Sequence, residues 1–524
     1  MTSPAFDSST LTKDLLASIV VFLVALPLCM GIAQASGMPP VAGIITGIVG
    51  GIVVGSIAGS PLQVSGPAAG LYVLVFDLVQ QLGVGMVGII VLLAGVLQLA
   101  AGGLKLGQWF RAVSPAVIQG MLAGIGVLIL ASQVYVMLDK TSKGSGLDRL
   151  LGIPAAISDA ISTGGPSLIA GLIGLATIGT IVLWSAFAPK KLKPIPGPLV
   201  GTIVAIALAA FLKAPILYVT VPDNIWSVVS PPTATQVGGL FSDMAMLKAV
   251  LVGAFSIALI ASAETLLCAT AVDQMHSGPR TKYDQELFAQ GVGNTICGIL
   301  GVLPMTGVIV RSSANVAAGA VTRRSAILHG VWLLVFASFF VDALRWIPSS
   351  ALAAILVYTG YKLAYPKVIW ALHKFGWAEV AIYAITVLTI VFSNLLDGVL
   401  VGLLLSLLKL VYAFSHLEVR QEPGPDNGVD LHLKGSATLV RLPKLAAELE
   451  RLKPGSKVRV FIEELDYIDH ACIDLLTNWD KQNRASGGAL EIEWEGLTNR
   501  YQKRSGTAAE RASAGAPTAP EMAK

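Results

Sequence analysis

The chain has 524 residues, 54% hydrophobic and only 13% charged, with a mean hydropathy of +0.73 and a formal charge of +4. That balance is too apolar for an ordinary water-soluble domain, and the scattered basic residues form no stripe for nucleic acid to follow. The four cysteines, Cys29, Cys268, Cys297 and Cys472, have no metal-ligand or disulfide spacing. With no phosphate-binding loop and no nucleophile–base pair visible, ATP-driven transport and enzymatic chemistry lack support, and no cofactor or metal is expected.

In chain order, the polar tail 1–12 lacks the basic start and short apolar core of a cleaved signal, so the first span is expected to remain. Apolar runs able to cross about 30 Å of hydrocarbon, fully or partway, then follow. They lie at 15–35, 41–59, 66–81, 84–104, 113–138, 167–188, 197–213, 247–271, 286–303, 312–322, 326–347, 350–364, 377–393 and 395–414. The reading is an all-α polytopic membrane domain over 13–414 with about fourteen transmembrane segments. Two runs, 66–81 and 312–322, are short or weakly apolar and follow Gly/Pro-interrupted stretches, the pattern of helices broken at a transport site.

The basic residues set an orientation. Lys105, Arg111, Lys190, Lys191, Lys193, Arg280, Lys282, Arg323, Arg324, Lys362, Lys367 and Lys374 fall on one side. Lys140, Lys143, Arg149, Lys213, Lys248 and Arg345 fall on the other, so the first set is cytoplasmic and both termini with it. An ungapped shift of 246 places Gly47 on Gly293, Gly55 on Gly301, Val64 on Val310 and Ala68 on Ala314. Two halves of seven spans, an odd number, would make the second copy inverted.

Beyond the spans, 418–505 reads as a small α/β domain, with strands at Val429–Leu433, Val458–Ile462 and Ala489–Trp494 and helices at Leu442–Leu452 and Ala471–Gln482. The Ala/Ser/Pro/Glu-rich tail 506–524 has the composition of disorder.

The candidate chemistry lies in the two interrupted stretches. Ser65 reads as an N-cap and Pro67 as a first-turn residue, so a helix would start inside the membrane, its free N–H groups seeking an anion. The second stretch repeats this grammar and adds the charge of Arg311 before Ser312 and Ser313. Glu264, the lone acid of its span, should face the bundle interior and mark an ion or proton path, on one helical stripe with Ser256, Ile260 and Cys268. Gln34 and Ser36 line a cavity or cap the first span; His329 reads as a packing residue; Asp273, His276, Arg280, Asp284 and Glu286 read as a solvated loop.

Pro27 to Gly43 resembles the first-span signature of the SulP (sulfate permease) family of anion transporters. Glu264-Thr265-Leu266-Leu267, Glu286-Leu287-Phe288-Ala289-Gln290-Gly291, Asn294 and Arg311 to Asn315 are similar to its second-half motifs. The tail domain resembles the family's STAS domain, with Leu465 to Asp469 at a strand-to-helix turn. The resemblance implies a 7+7 inverted repeat split into core and gate subdomains, an elevator-like motion, a homodimer in the lipid of the inner (plasma) membrane, and a small inorganic or carboxylate anion as substrate. It places that anion at Ser65, Gly66, Pro67, Ala68, Arg311, Ser312 and Ser313, coupling to a proton or sodium ion at Glu264 and Cys268, and cavity-lining positions at Leu28, Ile32 and Ala261. Leu28 and Ile32 replace a Gln and an aromatic of many sulfate-type members, and Ala42 also lacks an aromatic, which leaves bicarbonate or a carboxylate open beside sulfate. His470 stands where the STAS pattern has a Ser, against phosphorylation there. The alternative reading is an uncoupled anion channel or exchanger, or a membrane sensor signalling through the tail domain.

Overall fold

A computed structural model describes residues 8–108, 114–141, 144–189, 192, 195–222, 224–364, 366–424 and 428–493. The expectations on residues 1–7, Arg111, Lys143, Lys190, Lys191, Lys193, Trp494 and the tail 506–524 fall outside these. The chain divides into two compact units, Met1–Leu403 and Leu404–Lys524.

The first unit opens with α1 (Ser8–Ala35), α2 (Pro40–Ile48), a π-helical turn (Val49–Val54) and α3 (Gly55–Ile57). A short strand β1 (Ser65–Pro67) leads into α4 (Tyr72–Leu82), α5 (Val84–Gly103), α6 (Pro115–Met137), α7 (Gly146–Thr163), α8 (Gly165–Phe187) and α9 (Gly197–Phe211). After α10 (Ala234–Leu240) come α11 (Met244–Met275), α12 (Tyr283–Leu300), strand β2 (Met305–Gly307) and α13 (Ile309–Ala317). The series ends with α14 (Arg324–Phe339), α15 (Val341–Leu344), α16 (Ser349–Leu363), α17 (Lys367–His373), α18 (Trp377–Phe392) and α19 (Leu395–Ser415). Among the described residues seven helices are long and apolar enough to cross a membrane, with shorter apolar helices at α4, α9, α14 and α18. The chain is thus a multi-pass membrane protein.

Polar residues punctuate these helices as capping physics requires. Ser114 caps α6 ahead of Pro115, Ser145 and Asp148 form a capping box on α7, and Asp243 accepts from two N–H groups at the start of α11. Small residues then let helices meet at backbone distance. A Cβ added to Gly291 of α12 would lie 2.5 Å from Leu99 N of α5, and one added to Gly298 would lie 2.2 Å from Leu92 N.

Three expectations change. The run 66–81 begins as a strand, and its helix starts only at Tyr72; the run 312–322 is a helix from Ile309 to Ala317. Helix α7 occupies a stretch that the apolar runs leave out, because its apolar residues fall on one face only of a polar helix. The paired strands β1 and β2 differ by 240 in numbering (305 minus 65), not 246. Glycine and alanine recur often enough here to match at several shifts.

The second unit carries β3 (Leu417–Pro423), β4 (Val429–Ala437), α20 (Leu442–Glu450), β5 (Lys457–Ile468), α21 (His470–Ala485) and β6 (Ala489–Glu493). Its sheet has the order β3-β4-β5-β6, antiparallel at β3–β4 and parallel at the other two pairings. Leu431, Leu433, Val458, Val460, Leu445 and Leu476 fill the space between sheet and helices. This is the expected small α/β domain, with β3 as an unforeseen edge strand whose outer residues are charged and exposed.

Candidate functional site

The stretch from Gly59 to Val64 re-enters the helical bundle with no regular structure of its own, so its backbone groups need side-chain partners. Those partners come from the other half of the unit. Ser60 N donates to Glu286 Oε2 at 2.9 Å, Asn315 Nδ2 donates to Leu62 O at 2.9 Å, and Val64 N donates to Ser312 Oγ at 2.9 Å. The second interrupted stretch is held in the same way. Met305 N donates to Asn294 Oδ1 at 2.8 Å, Asn294 Nδ2 donates to Met305 O at 3.0 Å, and Gly307 N donates to Thr265 Oγ1 at 3.0 Å.

The two stretches meet as an antiparallel bridge in which Ser65 opposes Gly307, Gly66 opposes Thr306 and Pro67 opposes Met305. Val308 N extends the contact to Val64 O at 2.9 Å. Each strand feeds a helix start, α4 at Tyr72 and α13 at Ile309, and neither start has a side-chain cap. Two sets of uncapped N–H groups thus flank one bridge, a geometry that attracts negative charge. Ser65 does not cap: its hydroxyl accepts from Gln290 Nε2 at 2.7 Å. Pro67 lies in β1 rather than in a first helical turn, because pairing with β2 keeps the chain extended there.

Arg311 is fully buried beside the Cys29 thiol, and none of its three guanidinium nitrogens has an oxygen or nitrogen partner among the described residues. It lies directly behind β1: a Cβ on Gly66 would be 2.2 Å from Nη1. Among the described residues no carboxylate pairs with it. Glu264 comes from α11 on another side. Its carboxylate lies against Gly70, where a Cβ would be 2.6 Å from Oε2, and against the Thr306 hydroxyl; Oε2 is enclosed without a partner. One turn along, Cys268 Sγ is 3.6 Å from Ser312 Oγ.

The structure therefore gathers Ser65, Gly66, Pro67, Arg311, Ser312, Glu264 and Cys268 around the bridge, with buried Ala68 next to it. Ser313 turns away, its hydroxyl donating to Val310 O at 3.0 Å. Leu28, Ile32 and Ala261 are packed in the main apolar core. Gln34 does line a cavity of about 530 Å³ shared with Tyr72, Phe76, Ser132 and Arg149, while Ser36 bonds back to Ile32 O at 2.8 Å. A second cavity, of about 750 Å³, lies between α1 and α13 and is lined by Leu23, Val24, Pro196 and Ala314. His329 is buried, with Nδ1 on Ala326 O at 2.9 Å, a packing role.

The expected solvated loop is corrected at two positions. Glu286 is fully buried in α12, and Asp273 is buried with its carboxylate accepting from Thr281 N and Oγ1. Both acids replace water by protein donors, which a charge count along the sequence does not reveal. Sequence reasoning also passed over Gln63, Gln98 and Thr265. A signal existed: Glu286, Gln290 and Asn294 recur every four residues on one face of α12, and all three are fully buried.

A family profile described as the sulfate permease family matches residues 11–386. The chain is 28% identical over 407 residues to YvdB of Bacillus subtilis, which carries the name of a sulfate transporter; the match covers 77% of this chain and 74% of that one. It is 25% identical over 426 residues to the bicarbonate transporter BicA of Synechocystis, covering 78% and 71%. Among solved structures, the transmembrane domain of a cyanobacterial BicA matches with a TM-score of 0.63 at 23% identity, over 76% of this chain and 98% of that one. SLC26A9 matches with a TM-score of 0.73 at 16% identity, over 96% and 88%, tail domain included.

Proposed function

Because the chain belongs to the sulfate permease family, whose members are transporters and not enzymes, we propose that it carries a small anion across the membrane as a secondary active transporter. Bicarbonate, sulfate and small carboxylates fit the site, which offers backbone N–H groups and one fixed positive charge instead of a cage shaped to one ligand. The observation that carries this reading is the buried, unpaired Arg311 guanidinium behind a bridge flanked by two uncapped helix starts. A buried charge without a partner is costly, and a bound anion offsets that cost.

In this reading α1, α2, α4, α5, α6, α8, α9, α11, α12, α13, α14, α16, α18 and α19 are fourteen spans in a 7+7 inverted repeat, and α7 lies outside the count. The core subdomain holds the bridge and moves against the gate subdomain in an elevator-like cycle. Both termini are cytoplasmic, the protein sits in the inner (plasma) membrane as a homodimer, and the tail domain is STAS-like. Glu264 couples the cycle to a proton or a sodium ion. Support for that role comes from its partnerless Oε2 and from Thr306, a hydroxyl able to donate or accept.

The test is uptake by the purified full chain in liposomes, screened over sulfate, bicarbonate, chloride and dicarboxylates under imposed pH and sodium gradients. Saturable uptake of one of these anions, driven by one of the gradients, is expected. Glu264→Gln should still bind the anion but respond to neither gradient; coupling like that of the wild type in this variant removes the role given to Glu264. Gradient-independent conductance in the wild type favours a channel.

A further inference from the structure

Glu286, near the bridge, is fully buried, and the transport cycle above gives it no task. Its Oε1 accepts from two amides, Gln63 Nε2 at 3.0 Å and Gln290 Nε2 at 3.1 Å, while Oε2 accepts from Ser60 N at 2.9 Å. Gln290 Nε2 reaches on to Ser65 Oγ at 2.7 Å. The Gln63 amide lies over Gly307, where a Cβ would be 1.9 Å from Nε2. Ser65 and Gly307 oppose each other at one end of the bridge. A single carboxylate oxygen therefore orients the two amides that touch the two sides of one register pair.

We propose that Glu286 is a positioning residue: its carboxylate, held by three donors, sets the fit of β1 against β2, and through it the aim of the two helix starts, and it takes no part in carrying the coupling ion. The donor set supports that role: all three bonded groups give protons to Glu286, so none of them accepts a proton from it as they stand. Glu264 differs, since it has a free oxygen and a hydroxyl neighbour. The other charged and titratable groups acting on Glu286 are Arg323, itself bonded through Nη1 to Ser56 O at 2.7 Å, and Cys268.

The inference rests on the transporter reading, and the experiment separates the two. In liposomes, Glu286→Gln places an NH2 among three converging donors and should raise the KM for the transported anion about tenfold or more. The dependence of uptake on pH and sodium should stay as in the wild type. The exchange Gln63→Glu with Glu286→Gln restores a carboxylate–amide pair and should recover at least part of the affinity. Gly307→Ala, which pushes the Gln63 amide aside, should raise KM without any change of charge. Hydrogen exchange in the same proteins should show faster exchange at 60–67 and 304–309 in the affected variants and wild-type protection elsewhere. An unchanged KM in Glu286→Gln, an altered pH or sodium dependence, or an exchange variant no better than the single one overturns the proposal. If Glu286→Gln fails to fold, Gly307→Ala decides: KM and exchange like the wild type's overturn the proposal. If the wild type moves no anion, the transporter reading fails, and the exchange pattern still decides whether Glu286 positions the bridge.

Discussion

Gly66 and Gly70 stand four residues apart, and each leaves room for a different charge. At Gly66 the space is taken by the Arg311 guanidinium, and at Gly70 by the Glu264 carboxylate. Alanine at either position must displace the group it meets. Gly66→Ala should weaken anion binding about tenfold or more, by moving the positive charge off the bridge, with gradient coupling retained. Gly70→Ala should instead disturb the response to the driving ion with a smaller change in anion KM. Uptake kinetics of both variants under imposed gradients check the pair, and identical defects would show that the two charges do not act separately. The sequence marked Arg311 and Glu264 because a charge in an apolar run is rare and expensive. It marked Glu286 only within a family-like motif and otherwise as one more acid near a turn, until its donors, from residues far away in the chain, were seen.

Local grammar set most elements and misled where tertiary pairing overrode it. Ser65-Gly66-Pro67 has the residues of a helix start, but the chain stays extended because β2 is there to pair with and because Gln290 takes the Ser65 hydroxyl. In the second unit the grammar held. Asp469 caps α21, accepting from Cys472 N at 2.9 Å and from Leu439 N. Burial opposes ionisation of Asp469, yet those N–H donors hold its carboxyl below the usual range. Asp469→Ala should cost the second unit about 1 kcal/mol. It should speed hydrogen exchange in the first turn of α21 in the full chain, and unchanged exchange there would remove the cap's role. Strand β3 was missed because only Leu417 of its seven residues is buried, so its alternation is faint.

For the whole molecule, composition placed the chain in a membrane and the two interruptions pointed to the candidate site, but the partners of the interrupted backbone could be seen only in three dimensions. The two units should also answer acid differently. Asp430 accepts from Arg459 Nε at 2.9 Å and Nη2 at 2.6 Å, which holds its carboxyl below the usual range. A depressed folded pKa adds stability above the ordinary carboxylate range near pH 4, and that stability is lost as pH falls below it. Solvent screening limits the contribution to roughly 0.5–1 kcal/mol. Protection factors in β4 and β5, taken relative to the intrinsic exchange rate at each pH, should fall on acidification of the wild type and fall less in Asp430→Asn; equal acid responses would discount the pair.

The bridge also constrains how the protein is made. Ser60, Leu62 and Val64 find their partners at Glu286, Ser312 and Asn315, more than 220 residues later. Until the ribosome has delivered that later half, the first interrupted segment has nothing to satisfy its main chain and cannot rest in lipid. Insertion of the N-terminal half is therefore provisional, and the segment leading into α4 settles only when its counterpart arrives. A chain stopped before α12 should leave residues 59–67 open to water and to proteases, although the helices on either side are already in the membrane.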